Sequence, residues 1–164
     1  MQGYVNQAIK LNPGNAAAYF ELSRADGRLA QFVGILQSLN LAADIRRALA
    51  KATELDPGMD EAYVALGLWN AELISNGFIV TQATGADRDQ VVPNFQKTIA
   101  LAPNTIGHLV EYANTLLLHR NANRPIAQGH RKVDEAVKIL LTANSGEERL
   151  AMKSGFFESA PVGS

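Results

Sequence analysis

Three stretches of this chain end alike: Ala8-Ile9-Lys10-Leu11-Asn12-Pro13, Ala52-Thr53-Glu54-Leu55-Asp56-Pro57 and Thr98-Ile99-Ala100-Leu101-Ala102-Pro103. In each, a helix-forming run meets a proline, which lacks an N–H and pushes the residue before it out of the helical region. Turn and cap formers follow, namely Gly14 with Asn15, then Gly58, then Asn104, so a new helix can start at once. Each new helix carries a large residue, a second one three positions later, and then a small one. These trios are Tyr19/Leu22/Ser23, Tyr63/Leu66/Gly67 and Leu109/Tyr112/Ala113. A chain punctuated in this way is a row of helices joined by tight turns. The small residue lets the two helices of a hairpin approach closely, while the aromatic ring and the leucine fill the space beside it.

The second copy is the best formed: Tyr63-x2-Leu66-Gly67 opens one helix, and Ile45-x3-Leu49-x2-Ala52-x4-Pro57 closes the helix before it. Val5/Ala8/Pro13 and Phe95/Thr98/Pro103 keep the same spacing, and Ala136-x3-Leu140-x2-Ala143 falls in register without a proline. This resembles the tetratricopeptide repeat (TPR) family, whose pattern is W-x2-L-G-x2-Y, then A-x3-F, then P. The stretches LGLWNAE, TGADRDQVVPNFQKTIALAP and EYANTLLL are also similar to a group of uncharacterised bacterial TPR-like proteins. The resemblance implies an all-α fold of antiparallel helical hairpins stacked as a TPR-like α-α superhelix. It would occupy residues 1–155 as a single domain, with a frayed tail at 156–164.

The period departs from the family. The prolines stand 44 and 46 residues apart, against a norm of about 34. The surplus falls inside the hairpins rather than at the joints. In the first unit Leu29, Phe32, Val33, Leu36 and Leu39 continue a helical apolar stripe, which predicts a first helix prolonged to about Ser38-Leu39-Asn40. In the second unit SNGFIVTQATGADRDQ holds two glycines and a β-branched run, which predicts a helix end followed by a packed loop. Asp87 and Gln90 suit a capping box, although Pro93 equally allows a start nearer itself. Further on, 121–125 reads as a loop, 132–143 as a helix and 147–152 as the start of a short last helix with acidic residues at its N-terminus.

Composition removes several functions. With 15 basic and 16 acidic side chains in 164 residues, the chain lacks the positive field that a general nucleic-acid binder needs. It has no cysteine, which excludes disulfides, thiolate catalysis and Cys-ligated zinc, and fits a reducing cytosol or a bacterial periplasm alike. Apolar residues at 47% and charged residues at 19% are the balance of a soluble globular chain with a sizeable core. No apolar run is long enough to span a membrane, and Met1-Gln2-Gly3-Tyr4 leads straight into helical pattern without the look of a signal peptide.

Chemistry-bearing motifs are scarce. No phosphate loop, HExxH, GxSxG or EF-hand pattern occurs, and no nucleophile–base or metal constellation can be assembled, so the expectation is no enzyme, no metal and no cofactor. His108, His119 and His130 are 11 residues apart. Two residues at that spacing on one helix stand about 16 Å apart, too far for one ion. Glu61, Glu72 and Glu111 read as solvated helix faces, the basic run 130–132 as a helix start balanced by Asp134 and Glu135, and Trp69 as packing between Leu66 and Leu73.

What the TPR resemblance implies is a non-catalytic scaffold or adaptor that binds a protein or peptide segment, such as a helix, in a concave groove lined by the first helices. The groove-facing family positions map to Phe20, Arg24 and Gly27, then Val64, Leu68 and Ala71, then Val110, Asn114 and Leu117. Some members of the family clamp a terminal carboxylate with Lys and Asn; here Phe20, Val64 and Val110 stand at those sites, so an apolar segment fits better. Long first helices covering this face would leave no groove. Two further readings stand beside it. One is a small-molecule or lipid carrier, with Phe32, Leu36, Phe78 and Ile79 closing a pocket. The other is a structural oligomer, a homodimer through the N-terminal helix, whose outer face an upstream helix or a second copy would cover.

Overall fold

At the first two joints the turn chemistry does what the sequence asks of it. Asn12 Oδ1 accepts from Gly14 N at 3.1 Å, and Asn15 Oδ1 accepts from Ala18 N at 3.2 Å, so one asparagine shapes the turn and the other caps the next helix. Asp56 repeats the first role, its carboxylate accepting from Gly58 N at 2.9 Å. The computed structural model describes residues 2–118 and Lys138, apart from the side chains of Ile35, Leu36 and Leu118. It divides into two compact units, Met1–Pro103 and Asn104–Ser164.

The elements of the first unit are α1 (Gln2–Leu11), α2 (Ala16–Ala30), α3 (Ile35–Leu55), α4 (Asp60–Ser75), α5 (Phe78–Thr84), a 3-10 turn at Arg88–Gln90, and α6 (Val91–Leu101). The second unit contributes α7 (Ile106–Leu118) to the described residues. Every described element is helical, and the fold is all-α and TPR-like. The expected loop at 121–125, the helices at 132–143 and 147–152 and the tail lie outside the described residues, except that Lys138 is helical.

Within the first unit α2 pairs with α3 and α4 with α6, and α3 hands over to α4. Leu49 and Ala52 of α3 and Ala62 of α4 form a buried cluster at this handover. Tyr19 and Phe20 of α2, Ile45 of α3, Met59, and Ala65 and Leu66 of α4 pack around it. The second hairpin closes on Gly67: a Cβ built there would stand 2.8 Å from Phe95 Cε2. Phe95 is fully buried, and so is Thr98 one turn on. The Thr98 hydroxyl lies 3.2 Å from Asp60 O and 3.1 Å from Asn94 O, so either carbonyl can accept its hydrogen and the group is satisfied.

The first surplus lies elsewhere than the apolar stripe predicts. α2 stops at Ala30, where Gln31 N and Phe32 N close i→i−3 bonds to Arg28 O and Leu29 O. Gly34 is extended (φ −66, ψ 161) and stands as N-cap to α3, the 21-residue second helix. The stripe switches helices at this turn. Leu41, Ala42, Ala48, Leu49 and Ala52 are all buried on α3, so the enlargement belongs to the second helix. The i, i+3, i+4 pattern is the same on either side of the turn, and it is packing of α3 back on α2 that decides where the chain bends.

The second surplus is a helix where the sequence predicts a loop. Within α5 the Thr81 and Thr84 hydroxyls are satisfied by Gly77 O (2.9 Å) and Val80 O (2.7 Å), one turn back. Gly85 ends it in the left-handed region (φ +69), its N–H bonded to Thr81 O. Asp87 then caps the 3-10 turn through Asp89 N at 2.9 Å. α6 begins at Val91, close to the later of the two expected starts. Pro93 sits in its first turn, where a missing N–H costs nothing.

Candidate functional site

The groove positions read from the sequence are partly open on the first unit. On α2, Phe20 is half-buried and leans on the Leu49–Ala52–Ala62 cluster, while Arg24 is exposed. Arg24 folds along its own helix: Nη1 is 2.8 Å from Glu21 Oε1, and the guanidinium stands 5.9 Å from the Phe20 ring centre. That exposed ion pair adds little to stability, but it places a cation over the ring. On α4, Val64 and Leu68 are half-buried, whereas the neighbouring Ala62, Gly67 and Ala71 are buried. Of α4, Ala62 belongs to that cluster and Ala65 and Leu66 pack against it, as Phe20 does, whereas Val64 and Leu68 are not part of it. α2 is too short to be the prolonged first helix that would cover this face.

On α7, treated by itself, Tyr112, Ala113, Thr115 and Leu116 are buried. Asn114 and Leu117 are exposed and Val110 is half-buried. Of the trio on this helix, Tyr112 and Ala113 are thus buried and Leu109 is half-buried.

Of the four residues expected to close a pocket, Phe32, Phe78 and Ile79 do not do so, and the Leu36 side chain lies outside the described residues. Phe32, Phe78 and Ile79 are 85%, 76% and 81% exposed. Phe32 lies in the turn between α2 and α3, and Phe78 and Ile79 begin α5 on its exposed side, while Val80 and Thr84 of the same helix turn inward. The surplus segments nevertheless meet. The N-terminal half of α3, the C-terminal half of α4 and α5 line, with the end of α2, a half-open cavity of about 510 Å3. Its apolar wall includes Leu39, Ile45, Leu73, Val80 and Trp69, and its polar residues are Gln31, Ser38, Glu72 and Asn76.

Three contacts hold this region together. Trp69 is buried and donates its indole N–H to Ala42 O at 3.0 Å, locking α4 to α3. The Arg46 guanidinium lies 5.8 Å from the Trp69 ring centre and reaches Gly85, where an added Cβ would stand 2.7 Å from its Nη1. Asn70 is buried one residue beyond Trp69. Its Nδ2 donates to Leu66 O at 2.9 Å and its Oδ1 accepts from Asp87 N at 2.7 Å, so one side chain anchors the loop after α5. Trp69 is legible as a packing residue from its spacing. Asn70 is not, because its partner is 17 residues away inside an irregular segment.

A second, more polar cavity of about 370 Å3 lies among α1, α2 and α3. Gln2 Nε2 donates there to the buried carboxylate of Asp26, and Asp44 pairs with Arg47. No group of three or more metal-ligating side chains occurs among the described residues. His108 sits half-buried on α7, and His119 and His130 lie outside the described residues. Glu61, Glu72 and Glu111 are exposed. No described helix is long and apolar enough to cross a membrane.

Two solved structures of MamA, a TPR-like protein, are similar in fold. One matches with a TM-score of 0.60 at 22% identity, over 92% of this chain and 69% of that one. The other has a TM-score of 0.57 at 22% identity, over 99% of this chain and 68% of that one. The sequence matches no family model and no curated protein. At this identity the likeness concerns the fold.

Proposed function

We propose that this chain is a non-catalytic interaction scaffold that binds an apolar or amphipathic protein segment on the face presented by α2 and α4. The observation that supports this reading is the contrast along those helices. Ser23, Gly67 and Ala62 are buried, while Phe20, Val64 and Leu68 remain half-open and apolar, with Arg24 exposed beside them. A half-open apolar strip with a polar point at its edge suits an amphipathic helix or an extended apolar peptide. Val110, Asn114 and Leu117 on α7 are proposed to act in the same way. The TPR-like fold is consistent with such work, since folds of stacked hairpins present extended surfaces rather than deep catalytic clefts.

A displayed peptide library selected on the full chain tests this. Peptides enriched by selection should bind saturably, and Val64→Asp with Leu68→Asp should weaken them at least ten-fold without lowering the melting temperature. Failure to enrich any sequence, or binding indifferent to those charges, contradicts the reading.

A further inference from the structure

The cavity between the surplus segments is a different place from the α2 and α4 strip, and neither Val64 nor Leu68 lines it. About 510 Å3 falls in the range of small-molecule sites, roughly 300–1,000 Å3. Its walls come from four helices, and the indole bond of Trp69 to Ala42 O, between two of the lining residues, fixes α4 against α3. Such a cavity is built into the fold and does not depend on a loose loop.

Its chemistry is lopsided. Leu39, Ile45, Leu73, Val80 and Trp69 supply apolar wall, and the charge among the lining residues is the carboxylate of Glu72. Asn76 Nδ2 donates to Glu72 O at 2.9 Å and lies 3.4 Å from Glu72 Oε1, which steadies the carboxylate at the rim and leaves it acceptor capacity. Arg46 is held over Trp69 and is not among the lining residues. An anionic headgroup would therefore meet a like charge at this mouth, whereas an ammonium group would meet an acceptor.

We propose that this cavity binds a small cationic amphiphile, an apolar body carrying an amine or ammonium group, with the body against Trp69, Leu39 and Leu73 and the cation at Glu72. Gly27 also lines the cavity, and a Cβ built there meets nothing within 4 Å. A side chain introduced at that position starts from open space.

Trp69 is the sole tryptophan of the chain, so its fluorescence reports on the cavity directly. The full chain is titrated with dodecyltrimethylammonium and, separately, with dodecanoate, each below its micelle concentration. The expected result is a saturable change in Trp69 emission, with the ammonium bound at least ten-fold more tightly than the carboxylate. Glu72→Gln should bring the two within about three-fold of each other. Gly27→Leu should weaken ammonium binding at least ten-fold while keeping or raising the melting temperature, because it fills the cavity and removes a helical glycine. No saturable change, equal affinity for the two headgroups, or full binding by Gly27→Leu would overturn the proposal. The α2 and α4 reading is tested separately, since Phe20, Arg24, Val64 and Leu68 lie outside the cavity, whereas Gly27, a groove position read from the sequence, lines it.

Discussion

Phe95 of α6 packs its ring against the bare Cα of Gly67 on α4, so close that a Cβ there would stand 2.8 to 3.3 Å from three of its ring atoms. The ring is fully buried. The second hairpin is therefore set by a fit between one absent side chain and one large one. Replacing Gly67 with leucine should destabilise the protein by about 1–3 kcal/mol, the usual cost of overpacking a dense core. Chemical denaturation measures it; a wild-type midpoint for Gly67→Leu contradicts the packing described.

Trp69→Phe should keep most of the apolar contact and lose the indole bond to Ala42 O. A single hydrogen bond contributes about 0.5–1.5 kcal/mol net, and a loss of that size is expected, read as a lower urea midpoint at unchanged slope. A neutral result would mean that the α3–α4 contact does not depend on this bond.

Asn70→Ala removes the acceptor of Asp87 N and the donor to Leu66 O together. An unpaired buried group costs about 1–3 kcal/mol. Amide exchange should rise at residues 85–90 more than in α2 or α3. Uniform acceleration across the first unit would instead indicate general destabilisation and no anchoring role.

Gly85 combines a left-handed backbone (φ +69) with the Arg46 guanidinium beside it. Gly85→Ala should cost about 1–2 kcal/mol through the left-handed conformation alone, and should also shift Arg46 off Trp69. Gly27→Leu is the contrasting case, where open space and ordinary helical backbone predict no loss. Thermal melts of the two variants should move apart.

The joints of this fold are legible in the sequence because each rests on local chemistry: proline stops, Asn15 and Asp56 side chains bonding backbone within three residues, and small residues at fixed spacing. Gly67 reads as a point of close approach from the repeat pattern alone, because it occupies the small position of the best-formed copy. The surplus is legible as lying inside the hairpins, but in the first one the apolar stripe points to the wrong helix. Leu29 to Leu39 has the right period for a single helix, and the bend at 31–34 comes from α3 folding back along α2, a tertiary effect. α5 is hidden by its β-branched residues, whose cost is offset by contact with α3 and α4. Phe32, Phe78 and Ile79 mislead for a related reason: their apolarity is plain, and their exposure depends on where the turns fall. The cavity residues Glu72, Asn76 and Val80 carry no motif, and only the meeting of two surplus segments brings them together.

The most direct test of the scaffold reading is a methyl NMR map of the chain with a library-selected peptide bound. The account predicts shift changes centred on Val64 and Leu68 of α4, with ring-current effects from Phe20, and little change at Leu39, Leu73 or Val80. Changes confined to the cavity residues, or absent from α4, would contradict it.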